Sequence, residues 1–298
     1  MSATPPRPLG LIGIGLLGSV LAERLLAGGF AVLGHDLDAA RLEAFRLAGG
    51  TATLTAAEVF TRADRVVLSL PSHEQVNTLL EANAAALRHG LVVIDTTTGD
   101  PDSSAALAHS LARRGAVYLD ATVNGSSAQV RDGIAIMMVG GERAAYDACA
   151  DIFSRFGCQT FHTGGPGSGA KMKLVTNVAL GLNRAALAES LALASGLGLD
   201  AGQALAIMRG GPSYSRVMDR KGPKMLAGDF TPEARLSQHL KDVRLILEHG
   251  RAAGLPMTLS AAHREILEAA EAAGLGQLDN SAVIRVLAAE TRPAGTSP

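Results

Sequence analysis

The stretch from Leu9 to Ala27, Leu-Gly-Leu-Ile-Gly-Ile-Gly-Leu-Leu-Gly-Ser-Val-Leu-Ala-Glu-Arg-Leu-Leu-Ala, decides the fold of this chain. Leu9–Ile14 is short and apolar, which predicts a buried strand, and the apolar spacing over Leu17–Leu26 is typical of a helix. Similar strand-like runs alternate with helical patterns further along the chain: Ala31–His35, Arg65–Leu70, Leu91–Asp95 and Val117–Ala121. Such alternation predicts a parallel sheet with helices on both faces, which is a Rossmann-type α/β domain.

The pattern changes near residue 164. Ile134–Val139 and Gln159–His162 are predicted to be additional edge strands, with a helix over Glu142–Phe156 between them. After a turn at Thr163–Gly169, a long helix is predicted from Ala170 to about Ser195, and only helices follow it. We therefore predict two domains, a Rossmann-type α/β domain at residues 1–164 and an all-helical C-terminal domain at 165–298 that begins with a long interdomain helix.

The predicted first strand enters a glycine motif, Gly13-Ile14-Gly15-Leu16-Leu17-Gly18, that opens a helix. In this context the first glycine permits a tight turn, the second admits a pyrophosphate close to the backbone, and the third allows close helix–strand packing. The N–H groups at the start of the helix favour an anion. These six residues are predicted to bind a dinucleotide.

Asp36 ends the predicted second strand, eighteen residues after Gly18. A carboxylate there can accept hydrogen bonds from a ribose and repels a 2′-phosphate, so the sequence favours NAD. NADP is not excluded, because the nearby Arg41 can face a phosphate. The alternative role for Asp36 is the N-cap of the next helix, although both roles can coexist at neighbouring positions, with Asp38 as the cap.

Composition excludes several function classes. The net charge is −1 and aromatic residues make up 3% of the chain, so neither a basic nucleic-acid surface nor a base-stacking platform is expected. The apolar stretch Leu9–Ala22 is too short to span a membrane, and a cytoplasmic location is expected. Cys149 and Cys158 are expected to be buried thiols, and no Cys/His spacing indicates a metal site.

Further motifs lie outside the glycine loop. Asp120-Ala121-Thr122-Val123-Asn124-Gly125-Ser126 leads through Gly133 to Met138-Val139-Gly140-Gly141. This resembles the D-A-P-V-S-G-G substrate motif of the β-hydroxyacid dehydrogenases, a family of hydroxy-acid dehydrogenases and semialdehyde reductases such as 3-hydroxyisobutyrate dehydrogenase. The resemblance implies that Asn124, Gly125 and Ser126 bind the substrate carboxylate, although a plain Asn-Gly turn is an alternative. The chain departs from the motif at Thr122, Asn124 and Ser126, around the expected substrate.

Gly167-Ser168-Gly169-Ala170-Lys171-Met172-Lys173-Leu174-Val175-Thr176-Asn177 resembles the family's G-x-G-x-x-x-K-x-x-x-N signature. Matching the glycines and the asparagine selects Lys173 over Lys171. Lys173 and Asn177 are four residues apart, which places them on one helix face. The resemblance implies that Lys173 is the catalytic acid/base and that Asn177 assists it. Burial should lower the pKa of Lys173 from the ordinary lysine value of about 10.4.

Three shorter segments complete the resemblance. Phe230 to Asp242 resembles the family's F…K-D pattern and implies that Lys241 lies near substrate and cofactor. Asp95–Thr98 resembles its D-x-S-T segment, which implies that Thr98 contacts the nicotinamide. Leu70-Pro71 resembles its L-P turn beside the cofactor.

The predicted function is oxidoreduction between a nicotinamide cofactor and a small β-hydroxy acid or its semialdehyde, without a metal. Two alternatives within the superfamily remain, an imine reductase and a non-catalytic NAD-binding or chromatin-reader protein. Lys173 argues against both, because such relatives carry other residues there. A methyltransferase would explain the glycine loop but not Lys173, Asn177 or the helical second half. The Ala/Leu-rich helices are expected to form a homodimer or homotetramer.

Overall fold

Eight strands form one sheet in the first half of the chain. We describe residues 7–289 from a computed structural model, so residues 1–6 and 290–298 of the two predicted domains lie outside the description. The strands are β1 (Leu9–Ile12), β2 (Val32–His35), β3 (Thr51–Ala52), β4 (Arg65–Leu68), β5 (Val92–Asp95), β6 (Val117–Asn124), β7 (Ile136–Gly140) and β8 (Gln159–Gly164). Their order is β3-β2-β1-β4-β5-β6-β7-β8. β1 to β6 are parallel to one another, β7 is antiparallel to β6, and β8 is parallel to β7.

Short helices connect these strands. They are α1 (Leu16–Ala27), α2 (Ala39–Leu47), α3 (Ala56–Arg62), α4 (His73–Ala82), α5 (Pro101–Ala112), α6 (Ser127–Arg131), α7 (Arg143–Ala148) and α8 (Ala150–Phe156). The prediction of a single helix over Glu142–Phe156 is wrong, because the helix is interrupted at Cys149, between α7 and α8. The prediction of two buried thiols is half right, since Cys149 is buried but Cys158 is exposed.

The central strands are buried on both faces, as expected for a parallel sheet with helices on each side. Successive strand residues point to opposite faces, so they enter two separate cores. Leu11, Val67, Ile94 and Leu119 belong to one core, which includes residues of α1 and α8. Their neighbours Ile12, Val66, Val93 and Tyr118 belong to the other, which includes residues of α3, α4 and α5. The predicted Rossmann-type domain is confirmed.

Helices make up the second half. They are α9 (Ser168–Gly196), α10 (Ala201–Gly210), α11 (Arg216–Ala227), α12 (Leu236–Ala252), α13 (Thr258–Ala272), a 3₁₀ turn (Asn280–Val283) and α14 (Ile284–Ala289). The predicted long helix and the helical C-terminal domain are confirmed. Between residues 7 and 289, no helix combines the length and the apolar character that crossing a membrane requires.

The chain divides into two compact units, Met1–Lys173 and Leu174–Pro298. The division lies inside α9, nine residues after the boundary predicted at 164/165. That predicted boundary falls in the turn before the helix begins.

An ion pair lies in the core of the second unit. The Lys221 ammonium donates to both carboxylate oxygens of Asp279, at 2.8 and 2.9 Å, and Asp279 is fully buried. Asp279 also accepts hydrogen bonds from the main-chain N–H groups of Glu233 and Ser281. Burial opposes ionisation, but Lys221 and these donors outweigh it and lower the pKa of Asp279 to about 2.

We predict that Asp279→Asn lowers the free energy of unfolding by about 3–5 kcal/mol, because it removes the nearer of the two carboxylates that pair with the buried Lys221 ammonium and leaves only the half-buried Glu233, at 3.3 Å. Urea denaturation measures this. The stabilisation from Asp279 is fully present above its unfolded pKa of about 3.9 and is lost as pH falls through about 2. Asp147→Asn is the matched control, because Asp147 pairs with Arg143 on the surface, where solvent screens the pair and its loss should change stability much less. Equal losses for the two variants would contradict the assignment.

Candidate active site

The three glycines of the first motif have different surroundings. Gly13 has φ +91°, and a Cβ there would overlap the carbonyl oxygen of Ser69. A Cβ at Gly18 would overlap the carbonyl oxygen of Gly13. Gly15 has ordinary φ, and the nearest atom to a Cβ there would be Arg41 Nη1, at 3.8 Å. Gly13 and Gly18 are therefore required by packing within the protein, whereas the space beside Gly15 can admit another molecule.

Helix α1 starts directly at this loop. Gly15 is its N-cap, and no side chain of the described residues caps it by a hydrogen bond. Leu16, the first helical residue, is half exposed. The N–H groups of the first turn and the open space beside Gly15 thus fit a phosphate group, as expected at such a helix start.

Asp36 lies against the same loop. Its Oδ2 accepts a hydrogen bond from the Ile14 N–H at 2.6 Å, and its Oδ1 accepts one from the Asp38 N–H at 2.9 Å. Arg41 Nη1 is 3.6 Å from Oδ1. Asp38, not Asp36, caps α2, because its side chain accepts hydrogen bonds from the N–H groups of Ala40 and Arg41. The structure therefore brings Asp36 and the glycine loop together and leaves the capping role to Asp38.

Two further turns, one after β4 and one after β5, are joined by hydrogen bonds. The Leu70 N–H donates to Thr97 Oγ1 at 3.2 Å, and the Thr97 N–H donates to Asp95 Oδ1 at 2.9 Å. Tyr118 OH donates to Asp95 Oδ2 at 2.6 Å. These contacts connect the predicted cofactor residue Leu70 to the turn that carries Thr98. Pro71, the other predicted residue of the first turn, is exposed, and Thr98 is half-buried.

Sequence reasoning gave Asp95 and Tyr118 no role. Both are buried in the sheet, and burial raises the pKa of both, although the hydrogen bonds of Thr97 and Tyr118 oppose the shift at Asp95. The hydrogen bond from Tyr118 fixes the Asp95 carboxylate, which in turn holds the turn at Thr97. Asp95 at the end of one apolar strand and Tyr118 near the start of the next were the available signals in the sequence.

Lys173 is buried, with 8% of its surface exposed, whereas Lys171 is exposed. The Lys173 ammonium donates to the carbonyl oxygen of Val123 at 2.7 Å. Val123 immediately precedes the predicted substrate residues Asn124, Gly125 and Ser126. The structure thus brings the two principal motifs of the sequence together through this hydrogen bond.

Asp120 fixes the start of α9 beside β6. Its buried carboxylate accepts hydrogen bonds from the N–H groups of Gly167 and Ala170, both at 2.9 Å. Burial raises the pKa of Asp120, and these N–H donors oppose that effect. A Cβ at Gly169 would overlap the Asp120 carbonyl oxygen. The glycine in front of Lys173 is therefore required for the close approach of helix and strand.

The departures from the family motif have structural explanations at two positions. Thr122 is fully buried, and its hydroxyl bonds to the carbonyl oxygens of Met138 at 3.3 Å and Gly169 at 3.0 Å. Our expectation that Thr122 surrounds the substrate is thus wrong, because it packs β6 against α9. Ser126 caps α6: its Oγ accepts the Gln129 N–H, and its own N–H donates to Gln129 Oε1 at 2.9 Å. The Ser126 hydroxyl hydrogen is the donor that this capping box does not use.

Two further predicted residues lie together in the second unit. Asn177 is buried, and its Nδ2 donates to Asp242 Oδ2 at 3.0 Å. Lys241 Nζ is 3.8 Å from Asp242 Oδ1 and is about one-third exposed. Phe230 is buried under the guanidinium of Arg285, 4.6 Å from the ring centroid, which is a packing contact.

Comparison with known proteins assigns the chain to a family. The model of the NAD binding domain of 6-phosphogluconate dehydrogenase matches residues 8–164, and a model described as the NAD-binding domain of NADP-dependent 3-hydroxyisobutyrate dehydrogenase matches residues 167–287. The chain belongs to the β-hydroxyacid dehydrogenase family.

Individual relatives match over nearly the whole chain. The L-threonate dehydrogenase of Cupriavidus necator is 32% identical over 94% of this chain and 96% of its own length. The 2-(hydroxymethyl)glutarate dehydrogenase of Eubacterium barkeri is 32% identical over 93% of this chain and 94% of its own. The crystal structure of a 3-hydroxyisobutyrate dehydrogenase from Salmonella typhimurium has the same fold, with a TM-score of 0.87 at 24% identity over 94% of this chain and 99% of that one.

The glycine environments predict opposite outcomes for two alanine substitutions. Gly15→Ala should leave stability within about 1 kcal/mol of wild type, since its Cβ meets no protein atom closer than 3.8 Å, but weaken NADH binding at least tenfold. Gly18→Ala should instead lower the unfolding free energy by several kcal/mol, because its Cβ overlaps the Gly13 carbonyl. Urea denaturation and NADH fluorescence titration separate the two effects. A Gly15→Ala protein that binds NADH like wild type would refute the phosphate assignment.

Proposed function

We propose that this protein is an NAD-dependent oxidoreductase that interconverts a small β-hydroxy acid and its semialdehyde, with Lys173 as the general acid/base. The observation that carries the proposal is the hydrogen bond from the buried Lys173 ammonium to Val123, next to the Asn124–Ser126 turn. One lysine of the motif is thus withdrawn from solvent and held beside the predicted substrate turn, whereas Lys171 is exposed.

A dinucleotide fits the glycine loop, because Gly15 leaves space for another molecule and the start of α1 offers N–H groups. Gly13–Gly18 and the start of α1 would hold the pyrophosphate, and Leu70, Pro71 and Thr98 would flank the nicotinamide half. When bound, the nicotinamide supplies the acceptor for the hydride, which no protein side chain can accept.

Lys173 accepts the proton in one direction of the reaction and donates it in the other. In oxidation the substrate loses a hydride from carbon, and its hydroxyl proton passes to the Lys173 amine; in reduction the ammonium returns that proton to the carbonyl oxygen. The Val123 carbonyl accepts one Lys173 hydrogen in either protonation state and so keeps Nζ in place. Asn177 would orient the reacting hydroxyl, and Lys241 would contribute positive charge near substrate and cofactor.

The substrate carboxylate is assigned to the turn after β6. Asn124 offers its side-chain amide, Gly125 its main-chain N–H, and Ser126 the hydroxyl hydrogen that its capping role leaves available. The two curated relatives act, by their names, on L-threonate and 2-(hydroxymethyl)glutarate, which are both hydroxylated carboxylates. Both fit the proposed substrate class.

NAD is favoured over NADP because the Asp36 carboxylate lies at the end of β2 beside the glycine loop. A 2′-phosphate there would meet this negative charge. Arg41, half exposed and 3.6 Å from Asp36, is the counter-charge that a 2′-phosphate would compete for.

The Lys173 role is tested by Lys173→Met, which removes the amine but keeps a flexible apolar chain. Reduction or oxidation followed at 340 nm should show a loss in kcat/KM of about 10²–10⁴-fold, the usual contribution of a general acid/base. The substrate panel is 3-hydroxyisobutyrate, glycerate, 4-hydroxybutyrate, threonate, serine and 2-(hydroxymethyl)glutarate, with NAD⁺ and NADP⁺. Lys171→Met, two residues away on the same helix, is the control and should stay within about twofold of wild type. Turnover that survives in Lys173→Met rejects the mechanism.

The cofactor preference is tested by Asp36→Ser. Loss of the carboxylate should raise the ratio of kcat/KM for NADP⁺ to that for NAD⁺ at least tenfold, because a serine removes the repulsion and frees Arg41. Adding Arg41→Ala to Asp36→Ser should abolish the gain for NADP⁺. An unchanged ratio in Asp36→Ser would show that another residue selects the cofactor.

A further inference from the structure

Gln129 of α6 belongs to none of the sequence motifs, but its side chain lies against the proposed substrate turn, Asn124–Ser126. Its Oε1 accepts the main-chain N–H of Ser126 at 2.9 Å. A Cβ at Gly125 would lie 3.4 Å from the Cβ of Gln129, so these two residues pack closely. Gln129 is half-buried. Packing therefore fixes the base of this side chain, and the hydrogen bond fixes its end.

The hydrogen bond to Ser126 determines which end of the Gln129 amide faces the main chain. A main-chain N–H can only donate, so the oxygen Oε1 must face it and the nitrogen Nε2 must point elsewhere. Nε2 has no hydrogen-bond acceptor among residues 7–289. Only one carbon atom separates the two ends of an amide, so Nε2 also lies close to the turn. Gln129 thus offers unused N–H hydrogens beside the proposed carboxylate site.

The same hydrogen bond takes one donor out of that site. The family motif has glycine at the position of Ser126, where the main-chain N–H is the only donor that the residue offers. In this chain Gln129 Oε1 already occupies that N–H. The Ser126 hydroxyl hydrogen and Gln129 Nε2 are the donors that remain. Recognition at this position therefore falls to side chains instead of the main chain.

The turn lies on the side of β6 that carries the proposed acid/base. Alternate residues of a strand share a face, so Asn124 points to the same side as Thr122, whose hydroxyl bonds to the start of α9. The Lys173 ammonium, on the same helix, bonds to the carbonyl oxygen of Val123, between these two residues. A carboxylate bound at the turn is thus held beside the strand segment that positions Lys173.

We propose that Gln129 is a further substrate-binding residue, whose Nε2 donates a hydrogen bond to the substrate carboxylate while the Ser126 N–H holds its Oε1; this deepens, and rests on, the function proposed above. The carboxylate then has these donors at the turn: the Asn124 amide, the Gly125 N–H, the Ser126 hydroxyl and the Gln129 amide. None of them carries a positive charge. A negative charge at position 129 would therefore oppose binding directly.

Gln129→Glu tests the proposal, because it changes the donor and little else. Glutamate has nearly the same shape, and its carboxylate can still accept the Ser126 N–H, since glutamate and glutamine both serve at this position of a capping box. The Nε2 donor is replaced by a negatively charged oxygen. With the substrate panel followed at 340 nm, KM should rise by about 30-fold or more, while kcat changes by less than about threefold.

Gln203→Glu is the matched control. Gln203 occupies the corresponding position of α10, where its N–H donates to the N-cap Asp200, and its side chain is exposed. Its KM should stay within about twofold of wild type, as for other surface substitutions. A merely structural role of Gln129 predicts the same for Gln129→Glu, because the capping box survives in that variant. A KM for Gln129→Glu that equals the KM for Gln203→Glu overturns the proposal.

A binding measurement without turnover separates this inference from the proposed function. Isobutyrate, which has a carboxylate but no hydroxyl to oxidise, is titrated into the wild-type protein saturated with NADH. In nitrogen-15 NMR of glutamine-labelled protein, the Gln129 side-chain amide is assigned by its absence from Gln129→Glu or Gln129→Ala. This resonance should shift as isobutyrate binds, whereas that of Gln203 should not.

The two possible failures then have different signatures. A Gln129 amide that does not respond to isobutyrate overturns the inference, even if hydroxy acids are turned over. A Gln129 amide that shifts in a protein without turnover supports the carboxylate contact and rejects only the proposed reaction.

Discussion

The carboxylate of Asp120 holds the start of α9 against β6, and the proposed chemistry depends on that contact. Its two oxygens accept the N–H groups of Gly167 and Ala170, where the helix begins and its dipole is positive. Gly169 has no side chain to separate helix from strand. Lys173, one turn further on, then reaches the Val123 carbonyl. Without this contact, the position of Lys173 relative to the predicted substrate turn Asn124–Ser126 would not be fixed.

Different constraints act on the dinucleotide loop, Gly13–Gly18. Two of its glycines satisfy packing inside the protein, and the third leaves room beside a helix start. Asp36 links the loop to the end of β2 through the Ile14 N–H. The carboxylate that we propose disfavours a 2′-phosphate also contacts the main chain of the loop, so substituting Asp36 is expected to change loop geometry as well as cofactor selectivity.

Much of this arrangement could be predicted from the sequence, because periodic apolar residues and glycine positions report directly on strands, helices and turns. The spacing of Lys173 and Asn177 selected the lysine that the structure buries. The roles of Asp120 and Thr122 were missed, since their partners are main-chain groups about fifty residues away that no residue type marks. The break at Cys149 was missed because neither Gly nor Pro lies between α7 and α8. Gln129 matched no family motif, although a serine followed three residues later by a glutamine is itself the signature of a capping box.

The contacts between β6 and α9 have one property in common: each joins a side chain to a main-chain group. Asp120 binds two N–H groups, Thr122 binds a carbonyl, and Lys173 binds a carbonyl. Each of these hydrogen bonds therefore needs a particular side chain at one position only, and the other side must supply main chain that can approach closely, as Gly169 does. Recombination between family members at the turn before α9 should therefore yield folded hybrids wherever the aspartate, the glycines and the lysine persist.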